Sequence, residues 1–203
     1  MHRHVTKERA GSLSVVMFAL LLCAPAAPAQ TQIAYPELPN FHQVNSQLYR
    51  GAQPLEGGIQ RLKQLGIKTI INLRGEDEET HAERSEAEAL GLHYQSIPLP
   101  GFSRPPSEKV ERALEIINNP AYQPVFVHCH HGKDRTGVVI AAYRITHDGC
   151  PSKAAKAEAK RYGMSFLQIE MKDFISDYYR DWKRLHPESG ACTISLTASL
   201  APG

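Results

Sequence analysis

The sequence predicts an α/β fold: a single domain whose central, mostly parallel sheet is flanked by helices. Three observations predict it. Apolar spacing alternates along the chain between the helical and the extended pattern. Two extended segments, Lys68–Leu73 (KTIINL) and Pro124–His128 (PVFVH), are short, β-branched and apolar, as strands buried on both faces are. At 203 residues, 42% hydrophobic and 22% charged, the chain is large enough for one ordinary core and too apolar for wholesale disorder. Fourteen Gly and fourteen Pro are scattered without period, which excludes collagen-like and low-complexity readings. No repeat at solenoid spacing is present. A formal charge of +2 gives no broad field for nucleic acid.

Taken in order, the chain opens on Arg3, Lys7 and Arg9, followed by an apolar run from Leu13 to Ala24 and a small-residue stretch, APAAPAQ. Ala27-Pro28-Ala29 is an A-x-A site, so residues 1–29 read as a signal peptide cut between Ala29 and Gln30. That places the protein in the periplasm or outside the cell. A retained N-terminal membrane anchor is the alternative, but twelve residues at about 1.5 Å each fall short of roughly 30 Å of hydrocarbon. A lipid anchor on Cys23 meets Leu22 where a small residue is normally wanted. Cleavage would leave twenty basic against twenty acidic residues. It would also leave three cysteines, Cys129, Cys150 and Cys192. In an oxidising compartment the simplest arrangement is a Cys150–Cys192 disulfide with Cys129 free; three reduced thiols are the alternative.

Residues 30–45 are polar and Pro-bearing, an irregular lead-in to a domain spanning 46–186. Leu55–Leu65 carries a helical stripe closed by Gly66, and Lys68–Leu73 is a strand. Glu76–Leu90 is a charged, Ala-bearing helix, and His93–Leu99 a second strand before a Pro-rich break. Ser107 is placed to N-cap a helix with the stripe Val110, Ala113, Leu114 and Ile117. Pro124–His128 is a third strand, and Thr136–His147 an apolar helix stopped by Gly149. Helices near 152–162 and 167–184 complete the domain. The tail, 187–203, is Ser/Ala/Gly-rich and reads as flexible.

In parallel sheets chemistry collects at the carboxyl ends of strands. The junction there reads His128-Cys129-His130-His131-Gly132-Lys133-Asp134-Arg135-Thr136-Gly137. A short loop entering a helix turns its N–H groups inward and makes an anion-binding nest. Gly132 and Gly137 permit unusual backbone angles. Arg135 can grip two oxygens of a phosphate in its planar fork. The same positive field favours a Cys129 thiolate, which faces the bound phosphorus as a nucleophile. A Cys at a strand end is often only a small core residue, and an Arg is often only surface, but the joint pattern at this junction outweighs both. Zinc is excluded because four consecutive His and Cys residues cannot readily converge on one ion.

The segment HCHHGKDRTG is similar to the signature loop, H-C-x5-R-[ST], of the cysteine-dependent protein tyrosine and dual-specificity phosphatases. Tyr49-Arg50-Gly51-Ala52-Gln53-Pro54, Gly66–Arg74 and Ala141–Arg144 extend the resemblance, over about residues 40–184, to small exported bacterial members. The resemblance implies a phosphate-binding loop between a strand and a helix, and phosphomonoester hydrolysis through a phosphocysteine on Cys129. It implies that Arg135 and the amides from His130 through His131, Gly132, Lys133 and Asp134 to Arg135 hold the phosphate. Thr136 would hydrogen-bond the sulfur, and His128 would orient the loop. No metal or organic cofactor is implied.

Most relatives carry an Asp general acid in a separate loop, yet Ile97–Pro106 (IPLPGFSRPP) has no Asp or Glu. Asp134, Glu76 or Asp77, or weak acid assistance alone, are the accounts available, Asp134 being favoured. The expected partner is a phosphorylated protein, carrying phosphotyrosine with or without phosphoserine and phosphothreonine, or an inositol or lipid phosphate, which Lys133, His130 and His131 would suit. A non-catalytic phosphate-binding module and a sulfur-transfer protein are the readings from other classes. Arg104, in the loop without an acid, is either a substrate contact or merely exposed.

Overall fold

The computed structural model describes residues 1–2, 35–188 and 192, so the signal-peptide expectation lies almost wholly outside the described residues. Every element belongs to the unit Ala34–Gly203. β1 (His42–Asn45) and β2 (Leu48–Gly51) lead into α1 (Gly58–Gln64), β3 (Thr69–Asn72), α2 (Glu78–Ala89) and β4 (His93–Ser96). Then follow α3 (Ser107–Asn118), β5 (Val125–His128), α4 (Asp134–Thr146), α5 (Ser152–Arg161) and α6 (Ile169–Leu185). The sheet order is β1-β2-β5-β3-β4, with β1 antiparallel to β2 and all other pairs parallel.

Strand alternation sorts the core into two layers. Val125 and Val127 of β5 and Ile71 of β3 face α3, α4 and α6, whereas Phe126 and Ile70 face α1 and α2. The apolar residues of α4 run round the whole helix because it is covered by α3, α5 and α6 as well as by the sheet. That is why a helix without an amphipathic stripe follows the loop.

The structure corrects three local expectations. The lead-in over 30–45 is not irregular to its end, for His42–Asn45 forms β1 on the edge of the sheet. Three of its four residues are polar, as suits an edge that is only partly covered, and Val44 alone packs on the core. Ser107 does not cap α3: Pro106 stands at the N-cap in extended conformation, so helical geometry begins at Ser107 itself. Helix α4 starts at Asp134, two residues before Thr136, because the left-handed Gly132 (φ 68°) already completes the turn out of β5.

Cys150 and Cys192 are joined in a disulfide, and among the described residues Cys129 is the free cysteine. The bridge fastens Cys192, within the expected tail, to the connection between α4 and α5. No helix among the described residues is long and apolar enough to cross a membrane.

Candidate active site

Cys129 follows directly on β5 and is 2% exposed, at the floor of the loop that leads to α4. A Cβ on Gly132 would stand 2.3 Å from the Gly51 carbonyl oxygen. Only glycine therefore lets the loop sit down on the carboxyl end of β2 with a positive φ.

The peptide planes of this loop are held from outside. The His130 carbonyl accepts from Gln53 N–H at 3.1 Å, and Asn40 Nδ2 donates to the carbonyls of His131 (3.1 Å) and Gly132 (3.2 Å). The Gly132 carbonyl also accepts from Arg50 Nη2 at 2.8 Å, and that of Lys133 accepts from Gly137 N–H at 3.0 Å. Among the described residues no carbonyl or side chain accepts from the N–H groups of His130 to Arg135. Carbonyls turned out leave donors turned in, and the start of α4 adds its partial positive charge to them. Arg135 Nη1 donates to the Leu73 carbonyl at 3.3 Å, which braces the guanidinium against the end of β3. It enters no ion pair among the described residues. The arrangement is a cradle of donors that can receive an oxyanion above a thiol at its base.

A family model described as a dual-specificity protein tyrosine phosphatase fused to NAD+ kinase matches residues 35–177, more than half of the chain. The chain belongs to this phosphatase family. It is 28% identical over 98% of its length to the dual specificity protein phosphatase TpbA of Pseudomonas aeruginosa (strain UCBPP-PA14), of which it covers 93%. The crystal structure of P. aeruginosa TpbA superposes with a TM-score of 0.62 at 26% identity, over 79% of this chain and 97% of that one. The core catalytic domain of the PP-IP phosphatase SIW14 from S. cerevisiae, in complex with citrate, superposes with a TM-score of 0.61 at 26% identity, over 74% and 92%. The protein is a dual-specificity-type phosphatase, and sulfur transfer is set aside.

Within this phosphatase the expected site residues fall as follows. The side chains of His130, His131 and Lys133 are exposed, so these residues line the cradle with their amides rather than their side chains. The rings of His130 and His131 meet edge to face, 4.5 Å apart. Desolvation, and then the positive charges of His131, Arg74 and Arg135, hold His130 below the ordinary imidazole value. Thr136 is fully buried, but the expected bond to sulfur is not made: its hydroxyl has no hydrogen-bond partner among the described residues. His128 is likewise fully buried; its Nε2–H donates to Glu83 Oε1 at 2.7 Å, and its Nδ1 lies 3.4 Å from the Cys129 carbonyl.

The three carboxylates considered as acids are all engaged. Asp134 Oδ1 accepts the Ser165 N–H at 2.8 Å, tying the loop to the connection between α5 and α6. Asp77 caps α2 through Thr80 N–H and pairs with Arg74. Glu76 accepts from Ser96 Oγ and pairs with Arg84. Arg104 pairs with Asp177 of α6 at 2.9 Å and lies over Phe174, so it braces the fold. Among the described residues no three His, Cys, Asp or Glu side chains are grouped to hold a metal.

Four supports escaped the sequence reading: Asn40, Arg50, Gln53 and Glu83. Gln53 Nε2 donates to Glu83 Oε2, while Gln53 Oε1 accepts from Arg74 Nη1 at 2.8 Å. One signal for Glu83 was available, since it shares the buried stripe of α2 with Thr80 and Ala87 at helical spacing. Asn40 adopts a left-handed φ of 52°, a conformation in which Asn is enriched, and so aims its amide at two loop carbonyls.

His42 backs this support. Its Nε2 lies 3.0 Å from Asn40 Oδ1 and its ring packs 4.6 Å from Tyr162. Desolvation, and then the charge of Arg50, push its pKa down to about 4. A histidine whose folded value lies below its unfolded value binds its proton more readily when unfolded. Stability is therefore expected to fall as pH drops from about 6.5 through about 4. Denaturant midpoints across that window should show a shallower decline in His42→Gln, and parallel curves would refute the assignment.

Proposed function

We propose that the protein hydrolyses phosphomonoesters through a phosphocysteine on Cys129, acting on phosphotyrosine and also on phosphoserine or phosphothreonine in proteins. The single observation that carries the mechanism is the loop itself, with every bonded carbonyl turned out and the cysteine at its floor. The Cys129 thiolate attacks phosphorus in line, forming the S–P bond as the bond to the ester oxygen breaks. Loop amides and the Arg135 fork hold the three remaining oxygens. Asp134 delivers a proton to the departing oxygen through Oδ2, its Oδ1 being held by Ser165. Water then attacks phosphorus and returns its proton to Asp134. The S–P bond breaks, inorganic phosphate leaves, and the buried Thr136 hydroxyl donates to the departing sulfur.

A protein substrate is supported by the apolar mouth of the site. Gln168 Nε2 donates to the Gly101 carbonyl at 2.9 Å and Ser165 N–H donates to Asp134, so the loop before α3 and the loop before α6 meet beside the cradle. They carry exposed Phe102 (76%), Phe166 (81%) and Leu167 (63%), and the exposed Ile169 (62%) opens α6 beside them. Such a patch suits the side chains flanking a phosphorylated residue and offers nothing to a small polyanion. The exposed Lys133, His130 and His131 favour the second reading, an inositol-phosphate or phosphoinositide substrate, as does the name of SIW14.

Phosphate release from phosphotyrosine, phosphoserine and phosphothreonine peptides, inositol phosphates and phosphoinositides over pH 4–8 tests the proposal. The expected result is preference for peptides with apolar neighbours, lost in Phe102→Ser/Phe166→Ser. A preference for inositol phosphates that the double variant leaves unchanged moves the assignment to the second reading. Asp134→Asn should lower the rate and alter the pH–rate profile; an unchanged profile makes Asp134 a brace only. Phosphate binding without turnover on any substrate would leave a non-catalytic module.

We also place the mature protein in the periplasm or outside the cell. The leader pattern supports this, as does the Cys150–Cys192 disulfide, which belongs to oxidising compartments. An exported form whose N-terminus begins at Gln30 is expected, and an intact Met1 in that fraction would support an anchored form instead.

A further inference from the structure

Among the described residues Arg50 is the largest fully buried side chain and enters no ion pair. It lies in β2 opposite Val127 of β5, and by strand alternation it projects with Leu48 into the layer that also holds Val127 and Cys129. Its Nη2 donates to the Gly132 carbonyl at 2.8 Å. Its Nε and Nη1 have no hydrogen-bond partner among the described residues, and its guanidinium carbon lies over the Tyr162 ring, 4.4 Å from the ring centre.

A buried cation without a carboxylate partner is costly, and such groups are retained where they serve a charge. The surrounding elements offer no committed anion. Glu158 of α5 is the strongest attraction from a carboxylate, yet both its oxygens are held at 2.9 Å by Arg144 of α4, which repels Arg50. From the residue that caps the end of α5 comes the Tyr162 ring, and from β1 comes His42, which burial keeps neutral at pH 7. On β5, His128 is engaged with Glu83. Burial pushes Arg50 down to about 10, still cationic at neutral pH, and the sulfur of Cys129 is among the groups that favour that charge. The negative charge that this cation can serve is therefore that of the loop: the nucleophilic sulfur and the phosphate above it.

We propose that Arg50 is a positioning residue and buried counter-charge of the phosphate loop. It turns the Gly132 carbonyl outward, so that the N–H of Lys133 in the same peptide plane faces the phosphate. From beneath, its charge supports the anion that the cradle collects. The inference rests on the reading of the loop as an oxyanion site and adds a second arginine, 82 residues away in sequence from Gly132, to the machinery that holds it.

The experiment measures inorganic phosphate binding by calorimetry on Cys129→Ser protein, where no turnover intervenes, with and without Arg50→Gln and Arg50→Lys. Thermal melts confirm that each variant is folded at the assay temperature. Arg50→Gln should weaken phosphate binding by about tenfold or more, since it loses both the charge and an anchored donor. Arg50→Lys should recover part of that loss, keeping the charge without the planar fork. In the Cys129 background kcat should fall in the same order, with KM for a phosphopeptide changing less. Phosphate affinity of Arg50→Gln within twofold of its parent overturns the proposal. Where Arg50→Gln does not fold, Arg50→Lys decides: affinity reduced at least threefold supports the role, and affinity equal to the parent makes Arg50 a core scaffold only. A Cys129→Ser parent that binds no phosphate would defeat the reading of the loop itself, an outcome distinct from a parent that binds and an Arg50 variant that binds equally.

Discussion

Cys129→Ser is expected to reduce phosphate release by a factor of at least about 10^4 while leaving the fold intact. Among the described residues no other free cysteine exists to take over the attack. A serine hydroxyl is nearly isosteric and fits the same buried slot at the end of β5, but at neutral pH it offers almost no oxyanion. The amides, the Arg135 fork and the outward carbonyl bonds do not involve the sulfur, so phosphate should still bind. Turnover and melting temperature on the same preparation separate chemistry from folding. Residual activity within tenfold of the parent would mean that another group is the nucleophile.

Glu83→Ala is expected to be the most damaging single change away from the loop. The Glu83 carboxylate is 4% exposed and its His128 partner not at all, at 2.7 Å, with Gln53 on the other oxygen. Alanine leaves a buried imidazole N–H and a buried amide without acceptors. Breaking one side of such a pair costs about 3–5 kcal/mol, worth roughly 6–20 °C of melting temperature for a domain of this size. Activity should fall as well, because His128 immediately precedes Cys129 and Gln53 N–H holds the His130 carbonyl. Glu83→Gln keeps an acceptor for His128 and should recover most of the stability. A Glu83→Ala protein melting within 2 °C of the parent would show that the pair contributes nothing.

Much of the fold was legible because its signals are contiguous. Lys68–Leu73 and Pro124–His128 are dense in β-branched and apolar residues, and the structure places β3 and β5 inside them, buried at all four positions because the sheet is covered on both faces there. The two short strands over residues 42–51 carry no such signal, because β1 is a mostly polar edge strand of four residues and β2 carries a buried arginine. A polar strand is indistinguishable from a loop until its partner is known. The start of α3 carries no capping signal, because the residue at its N-cap, the extended Pro106, has no side-chain acceptor.

By itself the sequence determined the family and the candidate site: a cysteine, an arginine and a glycine-bearing loop, close in the chain at a strand-to-helix junction. What only the tertiary structure decided is how that loop is held. Asn40, Arg50, Gln53 and Glu83 arrive from segments distant in the chain because the strand order sets β2 and β3 on either side of β5. A buried arginine or glutamate reads as a surface residue in one dimension, since its cost and its use both depend on neighbours that only the folded chain supplies.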